Sequence, residues 1–287
     1  MKTRHFLIIL LALSIQTSAQ EGPITTGHPT GSLIVIGGGR VDQEIMQEFI
    51  ELAGGEEARI VVIPTAGEGD FNQDKTLRKG LEEYFRGYGI EEISILHTRD
   101  TARANERSFV KPLETATGVY FMGGRQWRIA DGFLNTRAHE ELFKLLDRGG
   151  VIAGSSAGAT IQGSYLARGD TRNNQIMMGD HQEGLGFISA VAIDQHVLAR
   201  NRQFDLFTIL KERPDLLGIG IDESTAIVVK GDWCKVIGSS YVLFYDRSFW
   251  SREGSSLKNL PPPASQFYML KAGDRYNLRL REVIKKQ

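Results

Sequence analysis

Residues 151–160 read Val-Ile-Ala-Gly-Ser-Ser-Ala-Gly-Ala-Thr. Within them Gly154-Ser155-Ser156-Ala157-Gly158 fits the pattern G-x-S-x-G. Between a strand and a helix, that pattern makes a nucleophile elbow, a sharp turn that exposes the hydroxyl of its central serine. Both flanks agree. Val151-Ile152-Ala153 suits a strand, and Ala159-Thr160-Ile161-Gln162 can open a helix. Chain segments approach closely in such a turn, so only small side chains fit. Ser156 is the candidate nucleophile and Ser155 a spacer.

A serine hydroxyl is a weak nucleophile without a base. His5 and His28 lie near the N-terminus. His97 closes an apolar run and His139 lies in a charged helical pattern, which suits structural or solvated roles. His181 falls in a polar loop. His196 ends Ala192-Ile193-Asp194-Gln195-His196, where an apolar run meets polar groups, and is the candidate base. A third group, a carboxylate, is needed to orient the imidazole. Ile219-Gly220-Ile221-Asp222-Glu223 ends an apolar run with two acids, and either one would serve. Triads are recognised by geometry, so the order serine, histidine, acid is usable. It is not the serine, acid, histidine order of α/β-hydrolase esterases, which counts against an esterase.

These groups need a scaffold. Short apolar runs at 33–36, 59–63, 93–96, 119–122 and 151–153 alternate with helical patterns at 42–53, 73–87 and 126–147. In the second helix Leu77, Leu81, Tyr84 and Phe85 share a face. Fully apolar strands alternating with amphipathic helices predict an α/β fold with a mostly parallel sheet covered on both faces. After about residue 218, runs at 227–229, 235–237, 241–244 and 267–270 are separated by Gly, Asp and Ser turns. They predict C-terminal β-hairpins that extend the sheet or form a small antiparallel layer. Pro261-Pro262-Pro263 is a stiff connector.

Three glycine-rich corners, 37–39, 123–124 and 154–158, follow predicted strands. Ligands of open α/β sheets bind beyond the carboxyl ends of strands, so the corners are expected to meet around one crevice. Gly37-x-Gly39 starts a dinucleotide fingerprint, but Asp42 stands where its third glycine belongs.

The chain has 287 residues, 41% of them hydrophobic, and a formal net charge of -1. That composition supports a sizeable core and argues against a general nucleic-acid binder, which needs clustered Lys and Arg. Residues 1–19 carry Lys2 and Arg4, then an apolar stretch from Phe6 to Ile15, then Thr17-Ser18-Ala19. They read as a signal peptide cleaved after Ala19, too short to span a bilayer. The expected mature protein is exported, secreted or periplasmic, with no membrane association. Residues 20–30 read as a polar tether and 31–287 as one domain. Cys234 is the sole cysteine. It allows no internal disulfide and no cysteine metal site, and reads as a buried small hydrophobe. No metal or cofactor is expected.

Four stretches carry a resemblance: FMGGRQ at 121–126, GSSAGA at 154–159, DQH with downstream arginines from Asp194 to Arg202, and GIGIDESTA at 218–226. In that order they resemble the cyanophycinase family of serine peptidases, related to bacterial aspartyl dipeptidases. The likeness runs from about residue 31 to 245. It implies a three-layer sheet, flavodoxin-like or class I glutamine-amidotransferase-like, with serine where amidotransferases carry cysteine. It implies Ser156 as nucleophile, His196 as base, Glu223 as orienting acid, and the N–H groups of Gly124 and Ala157 as oxyanion donors. Gln126, Asp194, Gln195, Arg200 and Arg202 match its substrate-pocket positions. The implied substrates are aspartyl or isoaspartyl peptides, and the implied assembly is a homodimer. An inactive binding protein of the same fold is the alternative, against which the complete Ser-His-Glu set argues.

Two positions depart from the family pattern. An acid follows its Gly-Gly corner, where this chain has Arg125. An arginine stands nine residues after its histidine, where this chain has Asp205. The expectation is a charge swap, with both side chains facing one crevice. Poor cyanophycin cleavage follows, with a preference for neutral or acidic neighbours of the aspartyl residue.

Overall fold

A computed structural model describes residues 24–252 and 262–285. The expected signal peptide, residues 1–19, lies outside the described residues. So does Pro261 of the proline connector, whose Pro263 opens a short 3-10 turn. The first half alternates as predicted: β1 (Ser32–Ile36), α1 (Gln43–Leu52), β2 (Arg59–Ile63), α2 (Lys75–Arg86), β3 (Glu92–Ile95), α3 (Thr101–Ala104), α4 (Arg107–Thr115), β4 (Gly118–Phe121), α5 (Gln126–Phe133), α6 (Arg137–Asp147), β5 (Val151–Ser155) and α7 (Ala157–Thr160). The second half is strand-rich: β6 (Gly163–Tyr165), β7 (Ile188–Gln195), α8 (Leu206–Glu212), β8 (Leu217–Ile221), β9 (Thr225–Lys230), β10 (Trp233–Gly238), β11 (Tyr241–Tyr245), β12 (Tyr268–Lys271), β13 (Arg275–Asn277) and β14 (Glu282–Ile284).

The strands form two sheets. The nine-stranded sheet has the order β14-β13-β10-β9-β1-β5-β4-β2-β3. Its β1, β5, β4, β2 and β3 are parallel, and β9, β10, β13 and β14 continue it antiparallel. The five-stranded sheet has the order β12-β11-β8-β7-β6, with β6, β7 and β8 parallel. The C-terminal strands extend both sheets, and no separate antiparallel layer forms among the described residues, because β11 and β12 join the parallel β6, β7 and β8. β9 and β10 extend the first sheet, and β11 and β12 belong to the second.

Alternation along the buried strands sends side chains to two cores. Ile34, Ile36, Ile60 and Val62 meet Ile45, Met46 and Phe49 of α1 and Phe85 of α2. Leu33, Val35, Val61 and Ile63 meet Phe109, Phe133 and Leu142 of α4–α6, together with Val191, Ile193, Ile219 and Phe244 of the second sheet. The outer face of that sheet carries Ala192, Leu243 and Tyr245 against Leu206 and Ile209 of α8. Cys234 is buried, as expected. Among the described residues no helix is long and apolar enough to cross a membrane.

Three details differ from the sequence reading. The helix expected over 126–147 is two helices. Asn135 adopts a left-handed φ of 57°, and Thr136 caps α6 by accepting from His139 N at 3.3 Å. In α2 only Leu81 and Phe85 are buried; Leu77 and Tyr84 are exposed. The described part of the tether is fastened: Thr25 Oγ1 donates to Ala190 O at 3.0 Å and Gly27 N to Gly231 O at 2.9 Å. Polar composition suggested a loose segment, but its hydroxyls and amides find partners on both sheets.

A glycine contrast tests this packing. A Cβ on Gly158 would lie 2.3 Å from Phe121 O, and one on Gly80 would meet nothing. Gly158→Ala should destabilise the fold by about 1–3 kcal/mol through overpacking. Gly80→Ala should stabilise it by about 0.5–1 kcal/mol, since alanine is the better helix former. Thermal unfolding of the two variants reads the difference, and equal midpoints would refute the packing account.

Candidate active site

β5 ends at Ser155 and α7 starts at Ala157, so Ser156 is the turn itself. Its φ of 56° and ψ of -111° are strained for a residue with a side chain. The neighbours are small for identifiable reasons. A Cβ on Gly154 would fall 2.1 Å from Gly158 O, and Gly158 itself abuts Phe121 O. Ser155 is itself buried at the end of β5, which fits a spacer.

His196 and the two acids come from the other sheet. β7 and β8 are parallel neighbours with Gln195 opposite Ile221, so the residues that follow emerge side by side. Ser156 Oγ lies 2.9 Å from His196 Nε2, and His196 Nδ1 lies 2.5 Å from Glu223 Oε1. An ionised carboxylate only accepts, so Nδ1 carries the proton and Nε2 is free to receive the serine's. Their contacts set the two acids apart. Asp222 accepts from Leu198 N at 3.0 Å, Ala199 N at 2.8 Å and the Ser240 hydroxyl at 2.6 Å. It pins the loop after His196, and Glu223 meets the ring.

The 37–39 corner holds these parts together. Ser156 N donates to Ile36 O, His196 N to Gly37 O and Ser224 N to Gly38 O, at 2.9, 2.9 and 3.0 Å. A Cβ on Gly38 would sit 2.3 Å from His196 Cε1, and one on Gly39 2.7 Å from Glu223 Oε2. The 123–124 corner lies on the serine's other side, where a Cβ on Gly123 would be 3.3 Å from Ser156 Cβ. The N–H groups of Gly124 and Ala157 donate to no protein acceptor among the described residues. All three glycine corners therefore meet, as expected.

Burial holds the His196 imidazole below its ordinary pKa of 6.5. The Glu223 hydrogen bond works the other way, and Arg200 and Arg202 add to the lowering. The balance reverses the simple expectation that a neighbouring carboxylate keeps the ring protonated.

The substrate-pocket carry-overs divide. Gln126 is buried and donates to Ala167 O and Arg168 O, both at 2.9 Å. Asp194 is fully buried and pairs through both oxygens with Arg168, at 2.7 and 2.9 Å. These two therefore brace the loop from Ala167 instead of facing a ligand. Gln195 accepts from Arg202 Nη1 at 3.3 Å, and Arg200 is exposed. Arg202 is only 6% exposed and hydrogen-bonds no carboxylate among the described residues. Arg125 and Asp205 do not pair with each other. Arg125 holds Asn174 Oδ1, and Asp205 accepts from Arg168 Nη2 at 2.5 Å. Arg168 was not singled out in the sequence, because nothing local to it announces partners 26 and 37 residues away.

Three other described histidines have structural partners. His97 meets the Thr65 hydroxyl, His139 donates to Leu185 O, and His181 lies between Asp131 and Asp180. His181 also lines a cleft of about 570 Å³ with Asp131, Tyr165 and Arg213, which shares no residue with the Ser-His-Glu array.

Comparison with known proteins fits this geometry. The family model for peptidase family S51 matches residues 33–237. A cyanophycinase from Nostoc sp. strain PCC 7120 is 30% identical over 284 residues, covering 94% of this chain and 93% of the relative. A cyanophycinase from Geminocystis herdmanii is 30% identical over 264 residues, covering 88% of this chain and 95% of the relative. The crystal structure of a peptidase from an acI-B1 actinobacterium superposes with a TM-score of 0.64 at 25% identity, over 88% of this chain and 98% of that one. A putative peptidase E protein from Listeria monocytogenes shares the fold, with a TM-score of 0.50 at 17% identity over 73% of this chain and 99% of that one. The fold is thus flavodoxin-like α/β, and the chain is a peptidase that belongs to family S51.

Proposed function

We propose that this peptidase hydrolyses aspartyl peptide bonds through Ser156, His196 and Glu223. The observation that carries the reading is the unbroken hydrogen-bond path from the Ser156 hydroxyl through the imidazole to the Glu223 carboxylate, 2.9 and 2.5 Å. His196 Nε2 takes the serine proton as Oγ attacks the scissile carbonyl. The N–H groups of Ala157 and Gly124 receive the developing oxyanion. His196 returns the proton to the leaving amine, leaving Ser156 acylated. Water, deprotonated by the same imidazole, then frees the acid. Glu223 stabilises the imidazolium in both halves.

The aspartyl preference rests on charge near the base. Arg202 is a buried guanidinium with no carboxylate in salt-bridge range among the described residues, six residues from His196, and Arg200 is exposed beside it. A buried cation is costly unless an anion joins it, so a substrate carboxylate is a fitting complement. The name of the cyanophycinase relatives points to cyanophycin as one candidate substrate. We also propose export, on the basic and apolar segments of residues 1–19. Protein recovered outside the cytoplasm should begin at Gln20, and an intact Met1 there would count against cleavage.

Mass spectrometry of a mixture of α- and β-aspartyl dipeptides with cyanophycin tests the reaction. Ser156→Ala should lower kcat by about 10⁴-fold or more, because the three groups act as a unit. Ser155→Ala should cost about tenfold at most in kcat if Ser155 only shapes the turn. A fluorophosphonate should label Ser156; label on Ser155 would overturn the assignment.

The pH profile follows from the buried imidazole. Only neutral His196 accepts a proton, and its lowered pKa keeps it neutral to more acidic pH than an exposed histidine. The rising limb of kcat/KM should therefore turn below about pH 6.5. A limb centred above that value would mean that Glu223 outweighs burial.

A further inference from the structure

Arg168 lies three residues beyond the end of β6, with 1% of its side chain exposed. Its Nε and Nη2 engage both oxygens of Asp194, at 2.7 and 2.9 Å. Nη2 also reaches Asp205 at 2.5 Å, and Nη1 donates to Asn174 O at 2.8 Å. Asp194 stands two residues before His196 and Asp205 nine residues after it. The two acids nearest the base in sequence are thus drawn onto one interior guanidinium. A bidentate, desolvated pair of this kind is strongly held.

The cations around the same base are differently placed. Among the described residues the Arg202 guanidinium hydrogen-bonds only neutral Gln195, at its carbonyl and side chain, both at 3.3 Å. Arg200 is exposed. Arg125, two residues past Gly123 at the serine, is half-buried and hydrogen-bonds the Asn174 amide and Asp170 O. None of the three has an acid within salt-bridge range among the described residues. The groups left to meet a ligand are therefore cationic, although the local sequence holds acids as well.

We infer that Arg168 is a specificity-determining counter-cation: by occupying Asp194 and Asp205 it makes the site select aspartyl peptides whose neighbouring residue is acidic or neutral, and reject those with an arginine there. The inference rests on the aspartyl-peptidase reading and narrows its substrate class. Arg168 touches no substrate. It acts by removing the acids that would welcome a guanidinium, so Arg125, Arg200 and Arg202 set the sign of the field.

The test is kcat/KM for aspartyl-Glu, aspartyl-Leu and aspartyl-Arg dipeptides in both linkages. Wild-type protein should favour Glu and Leu over Arg by about tenfold or more, a like-charge penalty of ordinary size. Arg168→Gln uncovers Asp194 and should erase or reverse that ratio, mainly through KM. Asp205→Asn, at a partly exposed position, leaves the Arg168–Asp194 pair intact and should widen the ratio. Arg168→Gln with Asp194→Asn removes both charges and should restore the preference for Glu and Leu. If Arg168→Gln does not fold, the wild-type and Asp205→Asn ratios still decide. A wild-type preference for Arg, or a ratio unmoved by these changes, overturns the inference alone. Failure to cleave any aspartyl dipeptide, with Ser156 still labelled by a fluorophosphonate, overturns the aspartyl reading and the inference with it.

Discussion

Three consecutive carbonyls at the end of β1 are the constraint on which the site depends. Ile36, Gly37 and Gly38 accept, in order, from Ser156, His196 and Ser224. Ser156, His196 and the residue after Glu223 are each one backbone hydrogen bond from the same short stretch. The parts come from two different sheets, and proton transfer tolerates little error in their separation. A seam between sheets is a poor place to hold such geometry unless something fixes both sides. The β1 end does so, and its glycines let the imidazole and the Glu223 carboxylate approach where any side chain would intrude.

That arrangement explains a cluster of strained backbone. Ser156, His196 and Ser224 all have positive φ, at 56°, 56° and 52°. Such conformations cost of order 1–3 kcal/mol each and persist only where the surroundings enforce them. The three amides bonded to the β1 carbonyls belong to these same three residues. Asp222 adds a second tie, capping Leu198 and Ala199 so that the loop carrying His196 cannot drift from the strand beside it.

The site was more legible than the scaffold around it, for physical reasons. A tight turn forces small residues into a short window, so the elbow at Ser156 appears in five consecutive letters. The choice between Asp222 and Glu223 did not, because adjacent residues at a strand end have the same composition around them and opposite directions. The resemblance selected Glu223, and contact with His196 agrees. The break at Asn135 was hidden because Leu134, Leu142, Leu145 and Leu146 keep a helical rhythm across it. The helices α3 and α4 over 101–115 carried too little periodicity to stand out. Arg168 was invisible for another reason: a buried ion pair is a property of three distant stretches, and in sequence it is only a charged residue beside a glycine.

The β1 carbonyls also bear on the order in which the molecule comes into being. A chain made from its N-terminus presents Ile36, Gly37 and Gly38 long before Ser156, His196 or Ser224 exists. Each tie closes a long loop, and the last waits for residue 224. Contacts of that span form late in folding, after most of the chain is available. A truncated or partly emerged chain therefore carries Ser156 without His196, and His196 without Glu223. The Ser-His-Glu array is therefore complete only when nearly all of the fold is present.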